Sequence, residues 1–281
     1  MLTCGNSWRA VAAGAPKFGY ASITWNGDDV RAIDEIAAAG YKGIQLRSAA
    51  VDRWKTRPAE LAALLAQRGL TFVALSSGGV SINPTQRAAT VAQHVANAQF
   101  LKAAGGHYLQ VVDERPAGAP SAADYRYMGS VLTEIGSRVA DLGVTLGLHN
   151  HMGNLSQSAH DVAQVLDASD ARVVKLELDI AHWQAADGDP VDAVRRYADR
   201  LLFLHFKDLQ RPAPGGAPAS YRFVELGQGR VNVRGVLDAL QQVGFSGWCI
   251  VELDRVTSAD RSAAQSAALS RRYLESIGVT L

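Results

Sequence analysis

The feature that most constrains the fold of this 281-residue chain is a regular alternation of short apolar runs with longer Ala-, Leu-, Glu- and Arg-rich segments. Eight of the short runs have the length and residue types of β-strands. They are FGYASITW (18–25), GIQLR (43–47), FVALSS (72–77), HYLQVVD (107–113), VTLGLH (144–149), VVKLELD (173–179), LLFLHFK (201–207) and WCIVEL (248–253). Strands that alternate with helices predict a parallel sheet with helical crossovers. Eight such units predict a single parallel (β/α)8 TIM barrel, with a doubly wound open sheet as the alternative.

The segments between the strands have the composition of helices and end as helices do. Segments 28–40 and 58–69 both finish in Gly, the usual helix terminator. An open doubly wound sheet usually carries a Gly-rich phosphate turn after its first strand, and ITWNGDD (23–29) is not one. We therefore expect one barrel domain over residues 18–281 behind an N-terminal tail of residues 1–17. The loop-rich QRPAPGGAPAS (210–220) is interpreted as an excursion over the barrel mouth.

Composition argues against several classes of protein. The formal net charge is +1 with 20% charged residues, and the sequence has no concentrated basic patch of the kind that binds nucleic acid. No apolar run in the sequence approaches the roughly 18–20 residues of a membrane span. Cys4 and Cys249 are too few for a disulfide framework, which favours a reducing cytoplasm. The AVAAGA run (10–15) resembles a signal-peptide cleavage region, so export by an atypical signal stays open.

Residues of metal-ligand type stand at the carboxyl ends of four successive predicted strands. His149 ends the fifth strand, Asp179 the sixth, His205 the seventh and Glu252 the eighth. In a β/α barrel the functional groups sit at this end, and neighbouring strands are only about 4.8 Å apart. The four side chains can therefore converge. Two imidazoles and two carboxylates suit one divalent ion such as Mn, Co, Mg, Fe or Zn.

Other polar residues lie beside these four. His151 has the strand parity of His149, and Lys207 has that of His205. Lys175 and Glu177 share a face with Asp179 but lie deeper in the barrel. We expect a buried ion pair between them, because an unpaired charge there would be costly.

The remaining histidines are expected to be structural or exposed. His94 and His160 lie in helical segments and are predicted at the surface. His107 begins the fourth strand, at the end of the barrel associated with stability, and is interpreted as structural.

Several motifs resemble one family. They are ITWNGDD, AAAGYKGIQL, HNHMGNLSQS, LDIAHWQAADGDPVDAVRRYADRLLFLHFKD and GQGRVNVRGVLDALQQVGFSGWCIVELD, between about Phe18 and Leu253. These pieces resemble the xylose-isomerase-like β/α barrels, which include sugar-phosphate isomerases and epimerases, and within that superfamily the inosose dehydratases most. The His-x-His-Met-Gly run and the Asp-x-x-His, Gly-Asp-Pro, His-x-Lys-Asp series are the most specific elements.

The resemblance implies a divalent metal held by a strand-five residue together with Asp179, His205 and Glu252. Many members carry Glu where this chain has His149, whereas the inosose-dehydratase-like branch has His. The strand-five ligand therefore stays open between His149 and His151.

The resemblance also implies substrate contacts. His182 and Lys207 match positions that usually contact the substrate, and Arg230 after the GQG turn could reach a substrate oxygen. Gln45 replaces a Glu common in the family; it can hold a hydroxyl but cannot act as a base. Arg47 would suit an anionic or polyhydroxylated ligand. Trp25, in the ITWNGDD motif, completes the expected substrate-binding residues.

These residues together predict a metal-dependent sugar isomerase or epimerase. A base, His151 or Glu252, would remove the proton α to a carbonyl, and Lys207 would face the oxyanion of the resulting enediolate. Loss of a β-hydroxyl from that intermediate would instead make the chain a dehydratase-type lyase. A non-catalytic sugar-binding barrel is the alternative of another class. The expected partner is a sugar or cyclitol, with no nucleic acid and no membrane, and assembly as a homodimer is left open.

Overall fold

Eight parallel strands close into a barrel at the centre of the structure, a computed structural model that describes residues 14–211 and 220–281. The barrel strands are β1 (Lys17–Ala21), β2 (Gly43–Arg47), β3 (Thr71–Val80), β4 (Tyr108–Asp113), β5 (Thr145–His149), β6 (Val174–Asp179), β7 (Leu201–Phe206) and β10 (Trp248–Val251). They follow chain order around the barrel, and β10 closes it against β1. Two short strands, β8 (Asp208–Gln210) and β9 (Arg222–Val224), pair antiparallel outside the barrel. The predicted TIM barrel is confirmed.

Helices connect the strands. They are α1 (Asp29–Ala38), α2 (Ala49–Trp54), α3 (Pro58–Gln67), α4 (Arg87–Ala103), α5 (Ala122–Ala140), α6 (Ala159–Asp167), α7 (Ile180–Ala185), α8 (Pro190–Arg196), α9 (Val233–Gln242) and α10 (Ala263–Ser276). Local sequence starts and stops them as expected. Ser121 and Ser158 form capping boxes with an Asp three residues later. Gly40 adopts φ +89° just after α1, a conformation that favours glycine.

The first predicted strand is too long. β1 ends at Ala21, and Ser22–Trp25 form a 3₁₀ helix instead. The hydroxyl of Thr24 donates to the carbonyl of Leu253 at 2.5 Å, which ties this turn to the end of the eighth barrel strand. The third strand is longer than predicted because it continues to Val80 through an irregular register.

The core has two layers. A large apolar cluster fills the space between the strands and the helices, and a smaller one lies inside the barrel. The inner cluster contains Ala21, Val73, Ala74, Phe203, Trp248 and Ile250. Phe203 and Ile250 lie two residues before His205 and Glu252, on the same strand face. The inner cluster is therefore the apolar floor beneath the predicted site.

Two segments with predictions attached fall outside the described residues. Residues 1–13 include most of the predicted tail and the AVAAGA run, and residues 212–219 include most of the predicted excursion over the barrel mouth. Across the described ranges, no helix combines the length and the apolar character needed to span a membrane.

Candidate functional site

Five side chains meet at the carboxyl end of the barrel: His149, Glu177, Asp179, His205 and Glu252. His149 Nδ1 lies 2.8 Å from Glu177 Oε2. His205 Nδ1 lies 3.2 Å from Glu177 Oε1, 3.7 Å from Asp179 Oδ2 and 3.5 Å from Glu252 Oε2. His205 thus belongs to two sets of side chains that could hold a metal ion. One set also contains His149 and Glu177, and the other also contains Asp179 and Glu252. We call these five residues the ligand cluster.

Strand register brings the ligand cluster together. His149 is the register partner of Glu177 between β5 and β6, and Asp179 is the partner of His205 between β6 and β7. Glu252 follows β10 directly, and its backbone N–H donates to Phe206 of β7 at 3.0 Å. The ladder hydrogen bonds of three neighbouring strand pairs therefore set the positions of all five side chains.

Several buried polar atoms of the ligand cluster have no hydrogen-bond partner within residues 14–211 and 220–281. They are His149 Nδ1, both carboxylate oxygens of Glu177, Asp179 Oδ2 and His205 Nδ1. Buried polar groups are normally hydrogen-bonded, because burial of an unpaired charge is expensive. These atoms face one another, and imidazole nitrogens with carboxylate oxygens form a donor set for a divalent transition metal. The residues present fit such an ion.

The predicted Lys175–Glu177 ion pair is wrong. Glu177 is fully buried and lies against the two imidazoles, whereas Lys175 is half-buried with no ion pair among the described residues. The parity that Glu177 shares with Asp179 was the available signal for its place in the site.

The carboxylates determine the charge state of the ligand cluster. Burial by itself would lower the pKa of His205, but Glu177 and Glu252 outweigh it and raise that pKa to about 9. Burial by itself would raise the pKa of Glu252, but His205 and Lys207 hold it well below its usual range. The cluster therefore carries ionised carboxylates that attract a cation.

Lys207 borders the ligand cluster as a buried ammonium group. Its Nζ lies 2.8 Å from Glu252 Oε1 and 2.6 Å from Asp254 Oδ1. It also lies 4.1 Å from the centre of the Phe223 ring and 3.5 Å from His182 Nε2. Burial would lower the pKa of Lys207, but Glu252 and the other carboxylates raise it above its usual value. Lys207 therefore stays positively charged.

His151 and His182 form a second group beside His149. Their rings pack 3.9 Å apart between centroids. The Nδ1–H of His151 donates to the carbonyl of Met152 at 2.7 Å, which leaves Nε2 as the basic nitrogen of the neutral ring. The Met152 N–H in turn donates to His182 Nδ1 at 3.1 Å. Burial lowers the pKa of both imidazoles. His149 rather than His151 faces Glu177 and His205.

The other predicted substrate-binding residues lie in different surroundings. The indole N–H of Trp25 donates to Glu35 at 2.6 Å, on the side of α1. Arg47 is exposed at the end of β2. Arg230 is exposed and lines a separate cavity of about 320 Å³ with Arg211. Trp25 is therefore bonded to α1, and Arg230 lines a cavity that contains no residue of the ligand cluster.

Gln45 contacts the ligand cluster from inside the barrel. Its Oε1 accepts a hydrogen bond from His205 Nε2 at 2.5 Å, and its amide donates to Gln110 Oε1 at 3.2 Å. Both ends of the side chain are thus used inside the barrel. The amide holds an imidazole in this structure where the sequence predicted that it would hold a substrate hydroxyl.

The prediction that His94 lies at the surface is wrong. His94 is buried on α4, with Nδ1 2.7 Å from Ser77 Oγ and Nε2 3.2 Å from the carbonyl of Gly79. The irregular end of β3 leaves polar groups without ladder partners, and this imidazole satisfies them. His160 is exposed as predicted, and His107 is exposed immediately before β4.

Sequence analysis missed two carboxylates that hold loops at the barrel mouth. Asp113 ends β4 and accepts from the N–H and the hydroxyl of Ser156, at 2.9 and 2.5 Å. The carbonyl of Ser156 accepts in turn from the backbone N–H of His151 at 3.1 Å. Asp113 thus fixes the loop that carries His151. Its place at a strand end was a signal that could have identified it.

The second missed carboxylate is Asp208. It accepts four backbone N–H bonds of 2.8 to 3.0 Å, which come from Leu209, Gly227, Gly229 and Val231. Within the GQG turn, the N–H groups of Gly227 and Gly229 are therefore taken by Asp208, and the N–H of Gln228 donates to the carbonyl of Glu225 at 3.0 Å. This turn is not available as a phosphate cradle.

A parallel eight-stranded barrel with a mixed imidazole and carboxylate cluster at its carboxyl end defines a class of β/α-barrel proteins. The family model described as "Xylose isomerase-like TIM barrel" matches residues 33–276. The chain belongs to the xylose isomerase-like TIM-barrel family, as the sequence motifs indicated.

Known proteins resemble the chain along most of its length. An inosose dehydratase of Lacticaseibacillus casei is 25% identical over 295 residues, covering 92% of this chain and 96% of that protein. The rhizopine catabolism protein MocC of Rhizobium meliloti is 26% identical over 269 residues, covering 83% and 80%. Among solved structures, the IOLI protein with a bound zinc atom has a TM-score of 0.78 at 17% identity, covering 93% and 98%. L-ribulose 3-epimerase has a TM-score of 0.74 at 17% identity, covering 94% of each chain.

Proposed function

We propose that the chain is a divalent-metal-dependent enzyme that removes the proton α to a carbonyl in a polyhydroxylated ketone, either a keto-sugar or a keto-cyclitol. The observation that carries this proposal is the set of buried polar atoms on His149, Glu177, Asp179 and His205 that face one another at close range without a hydrogen bond among the described residues. Such atoms are stabilised together by one cation. The inosose dehydratases similar in sequence support the substrate class.

His149, Glu177, Asp179, His205 and Glu252 are the residues that would hold the cation. A divalent ion supplies Lewis acidity, which polarises a carbonyl and stabilises negative charge on its oxygen. Lys207 places a second positive charge beside the ligand cluster, and a fixed charge of this kind stabilises an oxyanion without reorganisation.

His151 is the proposed base. Its Nε2 is free to accept the proton, and its Nδ1–H bond to the Met152 carbonyl stabilises the imidazolium that forms. Glu252, the other candidate base, is held by Lys207 on one oxygen and lies in the ligand cluster with the other. Glu252 is therefore assigned to the cation and His151 to the proton.

A cavity beside Lys207 offers space for the substrate. It has a volume of about 440 Å³ and is lined in part by Tyr221, Phe223 and Asp254. Small-ligand sites typically measure about 300–1,000 Å³. Aromatic faces with a carboxylate suit the C–H face and the hydroxyl groups of a polyhydroxylated ring.

Water loss is the first outcome to test, and isomerisation or epimerisation is the second. All three begin with the same proton abstraction, and they differ in whether a β-hydroxyl leaves or a proton returns to carbon. The near full-length similarity to inosose dehydratases favours water loss.

The test combines metal removal with an isotope readout. Chelator-treated protein is reloaded with Mn, Co or Zn ions and incubated in D₂O with a panel of ketoses and inososes. We expect metal-dependent deuterium exchange at the α-carbon, with ultraviolet absorbance growing if an unsaturated ketone forms. His205→Ala should abolish exchange, whereas Lys175→Met should keep it. Binding without exchange for every compound would contradict the proposal and indicate a non-catalytic barrel.

A further inference from the structure

A chain of buried amides reaches His205 from the far side of the barrel. The imidazole Nε2 of His205 donates to Gln45 Oε1 at 2.5 Å, and the Gln45 amide donates to Gln110 Oε1 at 3.2 Å. All three side chains are at most 3% exposed. Gln45 lies on β2 and His205 on β7, and two strands separate β2 from β7 in the barrel order. The contact therefore crosses the barrel interior.

Small residues make this crossing feasible. Gln45 has Ala21 as its register partner on β1 and Ala74 as its partner on β3. Both alanines belong to the apolar floor of the barrel. Short side chains on either side leave the long Gln45 side chain room to extend inward above this floor.

The amide chain fixes which nitrogen of His205 faces the ligand cluster. The Gln45 amide nitrogen is directed at Gln110, so its oxygen must face the imidazole. An amide oxygen only accepts, which requires the proton of the neutral imidazole to be on Nε2. When the ring is neutral, as a metal ligand must be, Nδ1 carries the lone pair and is directed toward Glu177 and Asp179.

We propose that Gln45 is a positioning residue that holds His205 in its ligating orientation and thereby sets the affinity of the site for its cation. The inference rests on the proposed metal-dependent function. Groups that hydrogen-bond to a ligating imidazole commonly contribute about 10–100-fold to metal affinity. The Gln45 amide orients the His205 imidazole without adding a fourth carboxylate to the ligand cluster.

The test measures dissociation constants for Zn²⁺ and Mn²⁺ by competition with a chromophoric chelator. Gln45→Leu removes the acceptor and should weaken binding by about 10–100-fold. Gln45→Glu keeps an acceptor and should bind at least as tightly as the wild type. Ser77→Ala removes a buried polar group that does not touch the ligand cluster, and this control should bind as the wild type does. Wild-type affinity in Gln45→Leu, or equal weakening in Gln45→Glu, would overturn the proposal.

A second measurement needs no variant and covers the case in which Gln45→Leu fails to fold. Nitrogen-15 NMR of the zinc-loaded wild type should show His205 protonated on Nε2 and zinc-bound through Nδ1. Zinc bound through Nε2 would overturn the positioning role. If the wild type binds no metal, the proposed function itself fails. If the wild type binds metal and the His205→Ala variant does not, the proposed metal site stands. Normal metal affinity in the Gln45→Leu variant would then overturn only the role of Gln45.

Discussion

Both carboxylate oxygens of Glu177 are buried between two imidazoles of neighbouring strands, with no hydrogen bond from the part of the chain that the structure describes. His205, whose pKa is raised to about 9, compensates part of the negative charge of Glu177. A divalent cation would compensate the charge more fully, because it can contact several carboxylates at once. Glu177 is therefore the residue whose substitution discriminates best between a metal site and a buried ionic network.

We predict that Glu177→Gln weakens the binding of Mn²⁺ or Zn²⁺ by about 100-fold, the upper part of the range for groups that support a metal site. The substitution preserves size and removes one negative charge. Isothermal titration of the chelator-stripped protein measures the effect. Lys175→Gln, one strand repeat away on the same face, is the matched control and should bind normally. Equal affinities in the two variants would exclude Glu177 from the site.

The strand-end residues and the inward face of Glu177 could be predicted from the sequence, whereas the partners of Glu177 and the burial of His94 could not. His149, Asp179, His205 and Glu252 follow from strand parity and barrel topology alone. For Glu177 the nearest opposite charge along the chain was Lys175, and only the register of neighbouring strands reveals the imidazoles.

At the scale of elements, the loops at the barrel mouth are held by carboxylates directed inward. Asp113 fixes the loop after β5 and Asp208 fixes the turn before α9. A loop held in this way would keep the proposed base His151 in place, and small displacements of reacting groups cost large factors in rate.

We predict that Asp113→Ala lowers turnover by about 100-fold while the bound metal stays at the wild-type level, because a displacement of about 1 Å has effects of that order. The loop that carries His151 would lose its anchor, whereas the ligand cluster is held by strands. Steady-state kinetics and elemental analysis together measure the two effects. Asp124→Ala, which removes the exposed capping carboxylate of α5, should leave turnover unchanged. Loss of metal in Asp113→Ala would contradict the assigned role.

Asp113 also gives a prediction for pH. Burial raises its pKa to about 6, although the bonds from Ser156 oppose the shift. A carboxyl with a raised folded-state pKa favours the folded state below its unfolded value of about 3.9, and this contribution is lost as pH rises through about 6. The change in the free energy of unfolding caused by Asp113→Asn should therefore be more favourable at pH 7.5 than at pH 4.5, by about 2 kcal/mol. Urea unfolding at both pH values measures the difference, and a pH-independent effect would contradict the prediction.

At the scale of the whole molecule, the alternation of strands and helices was sufficient to predict the barrel. The hairpin of β8 and β9 was not predicted, because strands of three residues are too short to show a period. The turn at Ser22–Trp25 also escaped prediction, since it depends on a hydrogen bond to Leu253, more than two hundred residues away.

We predict that removal of the metal lowers the thermal stability of the entire barrel. A ligand that binds only the folded state at about 100 times its dissociation constant adds about 2.7 kcal/mol. For a domain of this size such a change corresponds to roughly 5–10 °C in Tm. Calorimetry with and without chelator measures the shift, and restoration by Mn²⁺, Co²⁺ or Zn²⁺ is the control. An unchanged Tm would contradict a cation that is bound by residues from the ends of four strands.

The most direct test is a crystal of the protein grown with Co²⁺ and measured at the cobalt absorption edge. The account predicts one anomalous peak per chain, surrounded by His149, Glu177, Asp179, His205 and Glu252. A crystal with no peak among these side chains, or with its cobalt bound elsewhere on the chain, would contradict it.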